Sequence, residues 1–246
     1  MTTTLTVLGT SARFATPERA CSGYLLDLDG HRLWLDAGPG TWRNLLALCP
    51  YDEIEGVVIT HRHPDHALDV FQMEHALLYG PRGPQPPMSL WAPAETLDAL
   101  TGFKELDAFD SYAVAGGDSI ELAGATLRFV SMAHPPETVG VRLETADGVV
   151  AYSADSGEEA DFAALAGGAD LFVCEASNQD SDEIWEGHLR ASQAGRIASD
   201  TGVRRLVLTH LPAERDLDLS LAQAQAVLNG PTVQLAADGD VFEVGA

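Results

Sequence analysis

The sequence predicts an α/β fold built as one domain spanning residues 1–246. Short aliphatic and β-branched runs alternate with helical patterns through both halves of the chain, which points to sheets covered by helices. A chain of 246 residues is long enough to bury one substantial core. It shows no internal repeat at the roughly 20–50-residue periods of solenoids.

Taken in order, strands are expected at Thr4–Leu8, Tyr24–Leu28, Arg32–Leu35, Gly56–Thr60, Thr126–Ser131, Val139–Glu144, Val149–Ser153, Leu171–Glu175, Arg205–Thr209 and Thr232–Leu235. Helices are expected at Thr41–Leu48, Ala67–Tyr79, Ala94–Leu100, Glu158–Ala166, Ala191–Thr201 and Leu217–Leu228. Gly80–Met88 carries four prolines and two glycines and reads as a loop; Asp107–Asp118 reads as a second irregular region.

Composition narrows the classes of function. Hydrophobic residues make up 46% of the chain and aromatics 7%, which suits a globular domain. No apolar run approaches the roughly 18 residues needed to span a bilayer. Met1–Leu8 lacks a basic stretch followed by an apolar segment, so a cytoplasmic protein without a secretory signal is expected. Cys21, Cys49 and Cys174 are odd in number and widely spaced, and they read as buried, inert thiols. The net charge is −23, with 14 scattered basic residues of which only Lys104 is a lysine. A polyanion gains affinity from Lys and Arg that neutralise its phosphates. The average field of this chain repels nucleic acid and favours small substrates, without contact with a membrane.

The strongest chemical signal is Thr60-His61-Arg62-His63-Pro64-Asp65-His66, between an apolar strand and a helix. Three imidazoles and a carboxylate packed so tightly need hydrogen-bond partners or cations to be tolerated, and both are usual donors to zinc and similar ions. In a loop after a strand, His61 and His63 can serve one centre while Asp65 and His66 serve another. Four residues are too few to close a two-metal site, so further ligands are expected at other strand ends. His134 precedes Pro135-Pro136, Asp155 follows the run Val149–Ser153, His210 follows Leu206–Thr209, and His188 sits in Gly187-His188-Leu189. His31 and His75 receive no role, and Trp185, three residues before His188, is a candidate border of a substrate pocket.

In this order the motifs resemble those of metallo-β-lactamase-fold hydrolases. Leu35-Asp36-Ala37-Gly38-Pro39-Gly40 resembles the first motif, His61-x-His63-x-Asp65-His66 the second, His134 the third, Asp155 the fourth and His210 the fifth. The resemblance runs from Leu5 to about Pro212. It implies an αββα four-layer sandwich with two divalent metal ions, zinc by preference and manganese or iron as alternatives. His61, His63 and His134 would hold one ion, Asp65, His66 and His210 the other, with Asp155 bridging and Asp36 orienting ligands.

Gly9-Thr10-Ser11-Ala12, Cys21-Ser22-Gly23-Tyr24, Cys174-Glu175-Ala176-Ser177 and Gly187-His188-Leu189 further resemble the RNase Z-like branch. Within it the acidic, compact chain is most similar to bacterial cyclic-nucleotide phosphodiesterases. RNase Z-type sequences usually carry a glycine near the position of Asp69, and no long, basic, glycine-rich insertion suited to gripping tRNA is present. The resemblance implies that His188 is the acid serving the leaving group, that Glu175 supports it, and that Asp65 helps orient the nucleophile besides ligating. The expected reaction is hydrolysis of a small phosphodiester, with a cyclic nucleotide as the substrate the resemblance favours, through a water readied by the two metals. The expected assembly is a homodimer. Processing of tRNA 3′ ends and hydrolysis of a carboxylic ester, lactone or lactam are the alternatives on the same centre, and a non-catalytic binding module is a third.

Overall fold

All ten runs read as strands form strands in the computed structural model, which describes residues 2–183, 185 and 187–245. Contacts divide the chain into two compact units, Thr2–Val114 with Ala237–Phe242, and Ala115–Ala236 with the residues from Glu243 onward.

The first unit opens with β1 (Thr3–Gly9), β2 (Gly23–Leu28) and β3 (His31–Leu35), paired antiparallel. Asp29 and Gly30, both at positive φ, make the tight turn between β2 and β3. From there the pairing becomes parallel through β4 (Ile54–Val58), β5 (Met88–Ala92) and β6 (Phe109–Ala113). Parallel neighbours need crossovers. These carry α1 (Thr41–Leu46), then the short α2 (Pro64–Ala67) with α3 (Val70–Tyr79), then α4 (Ala94–Phe103). The helix expected over Ala67–Tyr79 is therefore broken, since Asp69 stands between α2 and α3.

The second unit repeats the plan. β7 (Ser119–Leu122), β8 (Ala125–Ser131), β9 (Val139–Glu144) and β10 (Val149–Tyr152) form an antiparallel meander. Parallel pairing follows through β11 (Leu171–Glu175), β12 (Arg205–Thr209) and β13 (Thr232–Leu235). The crossovers are α5 (Phe162–Ala166), α6 (Ala191–Thr201) and α7 (Leu217–Val227). Asp161 and Asp216 cap α5 and α7, their carboxylates accepting from Ala164 N and Leu219 N at 2.9 and 3.2 Å. β14 (Val241–Glu243) lies beside β1 at the edge of the first sheet.

Each unit thus holds a seven-stranded mixed sheet with its own apolar core. Trp34, Val57, Met73 and Leu90 centre the first, and Phe172, Leu189, Ala194 and Leu206 the second. Every residue of β11 is buried, as a central parallel strand covered on both faces should be. Strands β5, β6, β7 and β14 lack the aliphatic runs of the other ten. Four of the five residues of β6 are exposed, and β7 alternates exposed with half-buried positions. That is why most of Asp107–Asp118 reads as irregular: an edge strand needs no apolar stripe. The three cysteines are free and buried, and burial, with Asp65 nearby, pushes the Cys21 thiol up to about 12. Among the described residues no helix is long and apolar enough to cross a membrane.

Candidate metal centre

In open α/β sheets, ligands gather outside the carboxyl ends of parallel strands, and the candidate residues of both units lie there. In the first unit Asp36 follows β3 and His61–His66 follow β4. In the second, Asp155 follows β10, Glu175 ends β11 and His210 follows β12. Asp36, Ala154 and His210 all take positive φ, at 57°, 52° and 52°. Non-glycine residues rarely accept that conformation, and it re-aims the chain as it leaves the sheet.

In the first unit the His61–His66 turn is stitched to the loop after β3. Ala37 N donates to His66 O at 2.6 Å, and Asp69 N donates to Ala37 O at 2.7 Å. Gly38 permits this approach, because a Cβ there would lie 2.1 Å from the carbonyl oxygen of Asp65. Asp36 is fully buried and accepts from Thr60 N at 2.8 Å, Thr60 Oγ1 at 2.9 Å and His66 Nδ1 at 2.8 Å. Since the Thr60 hydroxyl spends its proton on Asp36, it accepts from His61 Nδ1 at 3.1 Å. The His61 ring lies 4.8 Å from His63 and 4.2 Å from His66, centroid to centroid. Asp65 Oδ2 accepts from Arg13 N at 2.6 Å. Arg13 itself has φ 68° and sits in a three-residue turn closed by Phe14 N to Ala12 O at 2.8 Å, a rare and strained conformation.

Asp69 is a second anchor in the first unit. Its buried carboxylate accepts from Gly40 N, Trp42 N and Gln72 Nε2 at 2.8, 2.9 and 2.8 Å, tying the start of α1 to α3. Burial raises its pKa, against the lowering effect of those three donors.

The second unit gathers residues far apart in sequence. His134 Nδ1 donates to Gly187 O at 2.7 Å. Burial lowers the His134 pKa despite Asp155 nearby, which favours the neutral ring that a metal requires. Glu175, fully buried, accepts from Ser156 N, Ser177 N and Ser177 Oγ at 3.0, 3.0 and 2.8 Å. It also accepts from His188 Nδ1 at 2.7 Å. Burial alone would raise the pKa of Glu175, but the charge and hydrogen bond of His188 outweigh it and hold the carboxyl below its ordinary range. Ser177 Oγ, donating to Glu175, accepts from His210 Nδ1 at 2.9 Å. Asp155, His188 and His210 present ligand atoms that all lie within 4.8 Å of one another.

Five imidazoles are therefore held by Nδ1: His61 by a hydroxyl, His66 by a carboxylate, His134 by a carbonyl, His188 by a carboxylate and His210 by a hydroxyl. In His61, His66, His134 and His210 an Nδ1–H donating to its neighbour leaves the lone pair on Nε2, whereas His188, backed by a carboxylate, is placed to carry a proton on both nitrogens. Metal-binding histidines are held this way, the second nitrogen donating to a neighbour that sets ring orientation and basicity. These donors, neutral imidazoles with carboxylates, fit divalent metal ions. His31 and His75 lie outside it. Both are exposed, bonded through Nδ1 to Glu55 Oε1 and to Phe71 O, each at 2.8 Å. The role of Arg13 left no trace in the sequence because it works through its backbone N–H. Thr60 and Ser177 act as relays between an acid and an imidazole, and no spacing rule reports that.

The β-lactamase superfamily domain matches residues 31–211, and the chain belongs to that family. It is 31% identical to an uncharacterised protein of Mycobacterium leprae, over all of this chain and 90% of the relative. It is 30% identical to a ribonuclease Z of Kineococcus radiotolerans, over 98% of this chain and 95% of the relative. The crystal structure of the metallo-β-lactamase fold protein YhfI from Bacillus subtilis superposes with a TM-score of 0.90 at 26% identity, covering 98% of this chain and 99% of that one. The fold is accordingly that of the metallo-β-lactamases, and the chain is a metallo-hydrolase of the RNase Z-like kind.

Proposed function

We propose that this hydrolase cleaves phosphodiesters and that its substrate is small, a cyclic nucleotide rather than a tRNA. The observation that carries the reading is the half-buried His188 held by the fully buried Glu175 at 2.7 Å, an acid placed to protonate a departing alkoxide. Cleavage of a lactam or carboxylic ester has less need of it.

By family membership and donor chemistry, His61, His63 and His134 would hold one ion and Asp65, His66 and His210 the other, with Asp155 shared. When bound, the ions would lower the pKa of water and neutralise charge on the phosphate oxygens. The chain's own groups do the rest. Asp65, steadied by the Arg13 N–H, orients the attacking water. His188 gives its Nε2 proton to the leaving oxygen. Glu175 stabilises the imidazolium through Nδ1 and keeps the ring from turning.

Net charge supports the small substrate. At −23 the chain repels a polynucleotide, which carries one charge per residue, far more than a cyclic nucleotide, which carries one in all. The likeness to a ribonuclease Z favours tRNA processing as the second reading. That alignment, however, runs to 299 positions against 246 residues here, so the relative carries segments this chain lacks.

The test is a hydrolysis screen of metal-loaded protein on bis-p-nitrophenyl phosphate, 2′,3′- and 3′,5′-cyclic nucleotides, precursor tRNA and a lactone. Cyclic nucleotides are expected to turn over fastest, with His188→Ala lowering kcat by about 10²–10⁴-fold. Turnover of the lactone alone, or of precursor tRNA alone, ends this reading.

A further inference from the structure

The chemistry above leaves one wall of the second unit unused. Trp185 is 53% exposed, whereas Trp34 is fully buried. A large aromatic held open to solvent forgoes much of the stabilisation that burial gives. Its ring centroid lies 4.4 Å from that of His188, and it meets His134 edge-on at 5.8 Å. It borders a cavity that His188, Asn178, Gln193, Glu158 and Glu159 also line.

The polar groups of that cavity narrow what it accepts. Gln193 accepts from Arg190 N at 2.8 Å and donates to Glu158 Oε2 at 2.5 Å, so its amide is occupied in closing the first turn of α6. Arg190, which also lines the cavity, sends its guanidinium to Asp182 O at 2.8 Å. Asn178 Nδ2 is turned to His188 O at 3.4 Å. The cavity thus offers an aromatic face and two glutamates, one of them, Glu158, already accepting from Gln193 through Oε2, beside the Arg190 guanidinium. An aromatic face stacks planar rings. Carboxylates accept from N–H donors and repel a second phosphate.

We propose that this cavity is the base subsite of the enzyme, and that it takes an amino-bearing purine stacked on Trp185 with its N–H edge toward the glutamates. The assignment rests on the phosphodiesterase reading and deepens it. The reacting phosphate sits with His188, and the purine occupies the adjoining wall. Substrates without a base, or with a pyrimidine lacking an amino group, bind more weakly.

Calorimetric titration of the metal-loaded protein with 5′-AMP, 5′-UMP and ribose 5-phosphate tests this without turnover. Wild type should bind 5′-AMP more tightly than the other two. Trp185→Ala should weaken 5′-AMP about tenfold and leave ribose 5-phosphate unchanged, and Trp185→Phe should keep most of the affinity. With 3′,5′-cyclic AMP, Trp185→Ala should raise KM by a similar factor with kcat within about twofold. Equal losses for 5′-AMP and ribose 5-phosphate, or a fall in kcat rather than a rise in KM, would overturn the proposal, because Trp185 would then be acting through His188. The two readings fail separately. Base preference lost in Trp185→Ala without any phosphodiester turnover sinks the phosphodiesterase and upholds the subsite; turnover without base preference does the reverse.

Discussion

Asp36 in the first unit and Glu175 in the second are both fully buried carboxylates, and each holds an imidazole by Nδ1, at 2.8 and 2.7 Å. Both also bind a hydroxyl that relays to a second imidazole, Thr60 to His61 and Ser177 to His210. The ring each acid holds directly differs in its role. Asp36 holds His66, a candidate ligand, so its charge raises ligand basicity. Glu175 holds His188, the proposed proton donor, so its charge would stabilise an imidazolium. On the proposed reading, one physical device, a desolvated acid behind a ring, would serve metal binding directly in one unit and proton transfer directly in the other.

That contrast can be broken by a matched pair of substitutions. Glu175→Gln should lower turnover of a phosphodiester by about 10²–10⁴-fold while metal affinity, measured by calorimetry, falls less than in Asp36→Asn, because Glu175 reaches the candidate ligand His210 only through Ser177. Asp36→Asn should lower metal affinity by about 10–100-fold. Equal loss of metal in both variants would show that the two acids do the same work.

A smaller effect is expected at Arg13. Arg13→Pro deletes the N–H that reaches Asp65, and φ near −65° cannot replace 68°. Leaving a buried acceptor without its donor costs about 1–3 kcal/mol, to be seen as a fall in kcat with thermal melting as a control. Arg13→Gly keeps the N–H and relieves the strain, so it should retain activity. If the glycine variant is as impaired as the proline variant, the side chain rather than the amide is what matters.

The smallest effect concerns Asp69 and pH. Its pKa is raised in the folded protein, chiefly by burial. The native state therefore holds this proton more tightly than the unfolded chain does. The stability the protonated form contributes is fully present below the unfolded carboxyl pKa and is lost as pH rises through the folded value. The Asp69→Asn variant, whose amide does not ionise, should flatten that dependence. In urea titrations the advantage of wild type over this variant should be larger at pH 4 than at pH 7; the opposite trend would mean that the donors from Gly40, Trp42 and Gln72 outweigh burial.

Legibility in the sequence followed how local each signal is. The central strands were readable because parallel strands buried on both faces must be continuous aliphatic runs. Edge strand β6 was not, since its exposed Asp110, Ser111 and Tyr112 carry no such stripe. The His61–His66 turn was readable because its donors lie within six residues. His134, Asp155, His188 and His210 could be singled out by their places beside strands or turns. Their grouping came from the resemblance to a family, not from spacing.

Taken alone, the sequence determined the chemistry available: which side chains can bind a divalent ion, the alternation of strands and helices, and a charge that disfavours polyanions. Each of these is a property of residues and their near neighbours. Only the tertiary structure decided how those side chains are held. The bonds that orient them join Asp36 to His66, Ser177 to His210 and Arg13 to Asp65, across 30, 33 and 52 positions. Contacts at that range form when sheets pair and loops close, so no local pattern encodes them. The tautomer of each imidazole, the strained turn at Arg13 and the exposure of Trp185 follow from that packing.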